Sequence, residues 1–307
     1  MTDAIKRRAL LRGAVASALG VTGLGALGTL GSSALARGDG ISAASAGSEP
    51  LKGNIHHSVA RWSYNFLSVE ELCQLVKRIG FSAIDLIGPG EWPILKEHGV
   101  DSSMCNGAEP SLEEGWGNAE HHSALIESYR KHIELVSEAG YRNLICFSGN
   151  ARGLDPEDGL KAAVKGLKQV LAQAEKRGVV LQMELFNSKV DHPDYLCDSS
   201  AWGIELCKRL DSPNFKLLYD IYHMQIMEGD IIRTIRDHHQ YFGHYHTAGV
   251  PGRHEIDDTQ ELNYPAIMRA IESVGFEGYV AQEFIPQRAT DEEKIESLYS
   301  AIRRCDV

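Results

Sequence analysis

Four residues that can bind a metal ion each stand at or near the end of a short β-rich run in the second half of the chain. They are Glu184, Asp220, His246 and Glu283. If these runs lie side by side, three carboxylates and one imidazole converge on a small space, where the carboxylates repel one another and lose hydration. A divalent cation relieves both penalties. We therefore predict one divalent metal ion, with Mn²⁺ or Mg²⁺ favoured by the oxygen-rich ligands and Co²⁺, Zn²⁺ or Fe²⁺ as competitors.

The two glutamates of this set could also move a proton. Exchanging a carbonyl with a neighbouring hydroxyl requires removal of a carbon-bound proton, and the resulting cis-enediolate carries negative charge that a chelating metal ion stabilises. We predict that Glu184 and Glu283 are catalytic, one taking the proton and the other returning it from the opposite face. Return to the neighbouring carbon is isomerisation, and return to the same carbon is epimerisation. Arg253 could bind a substrate carboxylate through two hydrogen bonds, and Lys189 could supply further positive charge.

These residues need a scaffold that brings the ends of four strands together, and the order of the elements predicts one. Eight runs are predicted to be strands: Asn54–Val59, Ala83–Ile87, Asp101–Asn106, Asn143–Ser148, Val179–Phe186, Phe215–Ile221, Tyr241–Thr247 and Tyr279–Ile285. Helices are predicted between them at Ser68–Ile79, His121–Ala139, Pro156–Arg177, Ser199–Leu210 and Tyr264–Val274. This alternation predicts a single-domain (β/α)₈ TIM barrel over residues 53–307, with its active site at the C-terminal ends of the strands.

A doubly wound open sheet is the alternative architecture. The first strand-to-helix turn, however, lacks the Gly-x-Gly-x-x-Gly pattern of a dinucleotide-binding site.

Alternation along the strands predicts which side chains point into the barrel. Gln182 and Glu184 share one face of their run, and His244 and His246 share one face of theirs. Glu184 and His246 come later in each run and are therefore expected nearer the mouth. Most other histidines are expected at the surface, but His56 is predicted at the end of the first strand and could reach the pocket.

The N-terminus is typical of an export signal. Basic residues 6–8 are followed by an uncharged stretch of small and apolar residues, 13–35, and by Ala34-Leu35-Ala36. Together with the paired arginines, these parts indicate the twin-arginine route. We predict a twin-arginine signal peptide at residues 1–36, a flexible linker at 37–52 and a periplasmic mature protein. A membrane anchor is the alternative, but the glycines and threonines of the stretch favour cleavage, so no stable membrane insertion is expected.

Charge and cysteine content exclude other classes. The formal net charge is −11, and residues 1–36 contribute +3, so the remainder carries −14. Such a surface is unsuited to nucleic acid, whose binding depends on neutralising phosphates. The six cysteines show no C-x-x-C spacing, so neither a zinc ribbon nor a redox motif is indicated, and we expect mostly buried free thiols.

Three longer segments carry a more specific signal: Glu184-Leu185-Phe186-Asn187-Ser188-Lys189, Leu218-Tyr219-Asp220-Ile221-Tyr222-His223-Met224-Gln225 and Ala248-Gly249-Val250-Pro251-Gly252-Arg253-His254-Glu255. With them, the chain from about residue 54 to its end resembles the xylose isomerase-like barrels and, among these, the hydroxypyruvate isomerases. The resemblance implies that the metal ligands are Glu184, Asp220, His246 and Glu283, with both glutamates transferring the proton. It also implies that His223 and Arg253 contact the substrate.

The function that follows is isomerisation of a small hydroxycarbonyl compound, of the type that converts hydroxypyruvate to tartronate semialdehyde. A ketose 3-epimerase or an isomerase of a longer free sugar stays open, because ketose epimerases commonly carry His, and hydroxypyruvate isomerases Gln, at the position of His246. The loop that ends at Arg253 favours the short keto acid.

Metal-dependent apurinic endonucleases share the barrel but use several zinc ions and a basic groove, so the acidic surface argues against this class. A periplasmic sugar- or metal-binding protein is the non-enzymatic alternative, against which Glu184 and Glu283 argue. The expected partner is a small hydroxycarbonyl compound or sugar, and the oligomeric state stays open.

Overall fold

The computed structural model describes residues 49–307, which lie within one compact unit, Ser45–Val307. Its strands are β1 (His56–Val59), β2 (Ala83–Ile84), β3 (Asp101–Ser102), β4 (Asn143–Cys146), β5 (Val180–Glu184), β6 (Phe215–Asp220), β7 (Phe242–Thr247) and β8 (Tyr279–Gln282). Its helices are α1 (Val69–Ile79), α2 (Trp92–His98), α3 (His122–Ala139), α4 (Pro156–Arg177), α5 (Ser200–Leu210), α6 (Ile221–Met227), α7 (Ile231–His238), α8 (Tyr264–Ser273) and α9 (Asp291–Cys305). The predicted α/β alternation is confirmed.

The strands form parallel sheets that bring the carboxyl ends of consecutive strands to one edge. Six strands pair in the order β1-β8-β7-β6-β5-β4, and β2 pairs with β3. Single parallel bridges connect the two sheets, Ala60 with Asp85 on one side and Cys105 with Leu144 on the other. The six-stranded sheet is a parallel half-barrel flanked by helices, and the two-stranded sheet is bridged to both edges of this half-barrel.

Local sequence signals explain where the helices begin and end. Ser68 accepts the backbone N–H of Glu71 while the Glu71 carboxylate accepts that of Ser68, which is a capping box at the start of α1. The helix ends at Gly80, whose φ of 115° lies in the left-handed region that favours glycine. Gly178, with a φ of 69°, ends α4 in the same way. These glycines end the helices where the sequence predicts.

Several strands are shorter than predicted. The run 83–87 pairs regularly only over Ala83–Ile84, because Leu86 has a φ of 52° and leaves the extended conformation. The predicted strand 215–221 ends at Asp220, whose side chain accepts the backbone N–H of His223 and so starts α6 directly. Helices α2, α6, α7 and α9 were not among the predicted elements.

All six cysteines are buried and free, as predicted. Among residues 49–307, no helix is long and apolar enough to cross a membrane. The predicted signal peptide, 1–36, and most of the predicted linker, 37–52, lie outside the described residues.

Candidate metal centre and active site

The carboxyl ends of β5 to β8 bring the four predicted ligand residues together. Glu184 and Asp220 are the last residues of β5 and β6, His246 lies one residue before the end of β7, and Glu283 directly follows β8. His246 pairs with Asp220 in the sheet, which places their side chains at the same level. One ligand atom from each of the four residues lies within 4.8 Å of the others. No side chain of the four is more than 4% exposed.

Burial and mutual repulsion govern the ionisation of these carboxylates. Burial raises the pKa of Glu184 to about 8, and the charge of Glu283 adds to this shift against the opposing effect of His246. Burial likewise raises the pKa of Asp220 to about 6, although Arg253 opposes the change. Burial would also raise the pKa of Glu283, but Arg253 and His246 outweigh it and hold that pKa below its usual value. The cluster therefore has more carboxylates than nearby positive charges, and three carboxylates with one imidazole suit a divalent cation.

Arg253 is the guanidinium that faces this cluster. Its Nη2 donates to Glu283 Oε2 at 2.5 Å and to Asp220 Oδ2 at 3.4 Å. The guanidinium carbon lies 5.3 Å from the ring centre of Trp62 and 5.5 Å from that of Tyr222, so two aromatic side chains hold the cation. The structure thus brings the predicted substrate-binding arginine to the two carboxylates.

Trp62 also fixes the second glutamate. Its Nε1 donates to Glu283 Oε1 at 2.8 Å, although the residue is 39% exposed. Tryptophans also follow the second and third strands, but these two, Trp92 and Trp116, are buried in the core. The sequence did not distinguish among them, because which loop reaches the mouth depends on tertiary structure.

His223 is oriented by Asn187. The Asn187 Oδ1 accepts the backbone N–H groups of Val190 at 3.0 Å and Asp191 at 2.9 Å, so its Nδ2 is the atom that contacts His223 Nδ1 at 2.7 Å. His223 Nδ1 must then accept this hydrogen bond, and the proton of the neutral ring lies on Nε2, 3.6 Å from Asp220 Oδ2. Burial lowers the pKa of His223 well below its usual value, which favours the neutral ring. Its predicted contact with substrate stays a prediction.

Two candidate residues lie away from the cluster. Lys189 is exposed, and its Nζ donates to the carbonyls of Ile226 at 3.1 Å and Met227 at 2.9 Å, at the end of α6. Its predicted role in substrate binding stays untested, but its observed contacts are structural. His56 is the first residue of β1, and its Nδ1 lies 2.9 Å from the carbonyl of Glu277. The prediction that His56 could reach the pocket is wrong, because the mouth is at the other end of the strand.

Asp85 belongs to the site although the sequence did not single it out. It follows β2 and is fully buried, with Oδ1 2.9 Å from His246 Nε2 and Oδ2 2.8 Å from His244 Nε2. Ser103 Oγ donates to Oδ2 at 2.7 Å. Burial would raise the pKa of Asp85, but the two histidines outweigh it and hold that pKa below its usual value. The available signal was a single charged residue in the otherwise apolar run Ala83–Ile87.

Residues 73–305 match the family described as xylose isomerase-like TIM barrel, and the chain belongs to this family. The fold and the cluster at the strand ends agree with that membership.

Two relatives with assigned names match parts of this chain. A putative hydroxypyruvate isomerase of Danio rerio is 35% identical over 128 residues, which are 42% of this chain and 46% of that protein. The chain thus spans about half the length of that relative. A 2-oxo-tetronate isomerase of Pectobacterium atrosepticum is 28% identical over 228 residues, which are 69% of this chain and 85% of that protein. These relatives confirm the resemblance to hydroxypyruvate isomerases and support the assignment of the chain as an isomerase enzyme.

A crystal structure titled AP endonuclease, family 2, from Brucella melitensis superposes with a TM-score of 0.68 at 25% identity, covering 78% of this chain and 97% of that one. The same fold thus occurs in proteins named for different chemistry, so the reaction must be argued from the site.

Proposed function

We propose that this chain is a divalent-metal-dependent isomerase that interconverts the carbonyl and the neighbouring hydroxyl of a small hydroxycarbonyl acid, of the hydroxypyruvate type. The observation that carries the proposal is the convergence of Glu184 and Glu283 on one buried space that Arg253 also faces. The isomerase names of the relatives support it. We also propose that the eight strands close into the barrel after which the family is named.

The chain's own residues account for binding and proton transfer. Arg253 would hold the substrate carboxylate, with its guanidinium fixed by Trp62 and Tyr222. The Nε2–H of His223 would donate to a substrate oxygen. One of Glu184 and Glu283 would remove the carbon-bound proton, and the other would return it to the neighbouring carbon. A divalent ion held by both glutamates, Asp220 and His246 would supply positive charge where negative charge develops on the enediolate oxygens.

A cavity of about 310 Å³ opens beside Arg253, with Tyr222 and Asp191 as further polar lining residues and apolar side chains such as Val190 and Ile285 completing its wall. Glu184, Asp220, His246 and Glu283 are not among its lining residues, so the preference for a short acid rests on Arg253 and on the names of the relatives.

The decisive test uses glutamate-to-glutamine variants, because Gln keeps an oxygen donor but cannot accept the proton. With metal occupancy measured in parallel, Glu184→Gln and Glu283→Gln should each lower turnover of hydroxypyruvate by about 10² to 10⁴, the usual contribution of a positioned acid or base. Glu261→Gln is the matched control, since Glu261 is exposed and accepts a hydrogen bond from Gln225. If both variants are fully loaded with metal and exchange the substrate's carbon-bound proton with solvent at the wild-type rate, the two-glutamate mechanism is wrong.

A ketose 3-epimerase is the second candidate, and His246 is the observation that favours it. Nuclear magnetic resonance in deuterated solvent separates the two reactions. Isomerisation places deuterium on the neighbouring carbon of a short hydroxyketo acid, whereas epimerisation places it on the original carbon of a ketose. If no compound of either class exchanges a proton, the binding-protein alternative gains support.

A further inference from the structure

The two ring nitrogens of His246 face different partners. Nδ1 lies 3.0 Å from Glu184 Oε1 and 2.8 Å from Glu283 Oε2, on the side of the ligand cluster. Nε2 lies 2.9 Å from Asp85 Oδ1, on the side away from it. Since a neutral imidazole carries one N–H and one lone pair, the partner of one nitrogen decides what the other nitrogen can do.

We propose that Asp85 is a positioning residue for the metal centre, which accepts the Nε2–H of His246 and so leaves the Nδ1 lone pair available to a divalent ion. The inference rests on the proposed metal-dependent function. A ligand histidine generally donates its other ring N–H to a carboxylate or carbonyl, which fixes both the tautomer and the ring orientation. Asp85 is the carboxylate in that position, and it reaches His246 from β2, 161 residues earlier in the chain.

The surroundings of Asp85 suit a fixed acceptor. Ser103 Oγ donates to Asp85 Oδ2 at 2.7 Å and itself lies 2.6 Å from Ser58 Oγ. His244 Nε2 lies 2.8 Å from the same Oδ2. All of these side chains are buried, so the carboxylate keeps its orientation through contacts on both oxygens. Residues from the first, second, third and seventh strand regions thus converge behind one ligand of the proposed ion.

A second metal ion is the competing interpretation, because ligand atoms of Asp85, His244 and His246 also lie within 4.8 Å of one another. His246 could serve both ions only as a doubly deprotonated bridge. The hydrogen bond from its Nε2 to Asp85 makes such a bridge unnecessary. The positioning role predicts one ion per chain, whereas the competing interpretation predicts two.

Metal affinity tests the proposal without relying on activity. Zn²⁺ titration calorimetry on metal-stripped protein should give one site in the wild type. Asp85→Ala should weaken Zn²⁺ binding by about 10- to 100-fold, as is usual when such a partner is lost. Asp85→Asn should lose less than Asp85→Ala, because its amide oxygen can still accept the Nε2–H. Asp101→Ala is the control, since it removes a carboxylate at the first residue of β3, where the side chain accepts a hydrogen bond from Tyr279, and it should keep its affinity.

Nitrogen-15 correlation spectra of labelled histidine in the Zn²⁺-loaded protein supply a readout that a general loss of stability would not produce. We expect His246 to carry its proton on Nε2 in the wild type and in Asp85→Asn. Unchanged Zn²⁺ affinity in folded Asp85→Ala would overturn the proposal. If that variant does not fold, Asp85→Asn provides the test. Wild-type Zn²⁺ affinity in Asp85→Asn together with a proton on Nδ1 of His246 would overturn the proposal.

Two zinc ions per wild-type chain, one of them lost in Asp85→Asn, would assign Asp85 to a second metal site instead. A wild type that binds no divalent ion would refute the proposed metal centre and this inference with it, whereas an Asp85→Ala variant that binds Zn²⁺ with wild-type affinity would refute the inference alone.

Discussion

Replacing Arg253 with Ala removes the guanidinium that lies between Asp220 and Glu283. The side chain is 13% exposed and donates to Glu283 at 2.5 Å and to Asp220 at 3.4 Å. Because the variant leaves both carboxylates buried without this partner, we expect the metal-free protein to lose about 3–5 kcal/mol of unfolding free energy, the usual cost of breaking a buried ion pair. The lost contacts with Trp62 and Tyr222 act in the same direction.

A divalent ion should reduce this loss, because it would neutralise the same carboxylates. Urea unfolding at pH 7 would be measured once with a chelator and once with saturating Mn²⁺. An ion present at a hundred times its dissociation constant adds about 2.7 kcal/mol, and we expect the variant to bind the ion more tightly than the wild type and to gain more. The gap between the two proteins should then shrink to about 1–2 kcal/mol.

Arg288→Ala is the matched control for this prediction. Arg288 is 49% exposed and pairs with Asp257 at 2.7 Å, so its loss should cost less than about 1 kcal/mol with or without the ion. An Arg253→Ala loss that is the same with and without Mn²⁺, or no larger than that of Arg288→Ala, would refute the reasoning.

Three further predictions follow from other parts of the chain. Burial lowers the pKa of His57 from 6.5 to about 4 in the folded protein, and Asp306 opposes this shift only in part. As the pH falls, His57 is therefore protonated in the unfolded chain before it is protonated in the folded one. The unfolding free energy should therefore drop by about 2 kcal/mol more between pH 7 and pH 5 in the wild type than in His57→Leu, and an equal drop in both would contradict this. Lys189→Ala should cost about 0.5–1 kcal/mol of stability through the lost contacts at the end of α6, while the KM measured for hydroxypyruvate stays within about threefold. We also propose that the full chain is exported to the periplasm and cleaved near Ala36; changing Arg7 and Arg8 to Lys should retain the precursor in the cytoplasm, and cytoplasmic accumulation of the unaltered chain would refute export.

The four proposed ligands could be predicted because they depend on a local rule. Side chains alternate along a strand, and parallel strands end at one edge, so Glu184 and His246 could be placed near the mouth from their positions in their own runs. Asp85 and Trp62 could not be placed in this way. Their partners, His246 and Glu283, are 161 and 221 residues away along the chain. Such contacts depend on how the first two strands meet the last two.

His56 and Lys189 show why residues near the ends of elements are harder to place from sequence. His56 was placed at the wrong end of β1, although the direction of a parallel strand fixes its first residues at the side opposite the mouth. Lys189 lies in a loop, where no periodicity constrains the side chain, and its ammonium group contacts the carbonyls at the end of a helix that was not predicted. A strand pattern therefore predicts residues at its own end better than residues of the loop that follows.

Charge and orientation make separable contributions to the proposed metal centre. Asp85, Glu184, Asp220 and Glu283 carry four formal negative charges when ionised, against which Arg253 supplies one fixed positive charge. Arg253 reduces the repulsion that an ion would otherwise relieve, so its removal should tighten metal binding while it destabilises the metal-free protein. Asp85 also adds negative charge, but its contact is with the far nitrogen of His246, so its removal should weaken metal binding by releasing a ligand. Opposite changes in metal affinity for Arg253→Ala and Asp85→Ala are expected only if one residue acts by charge at the carboxylates and the other by holding His246 in place.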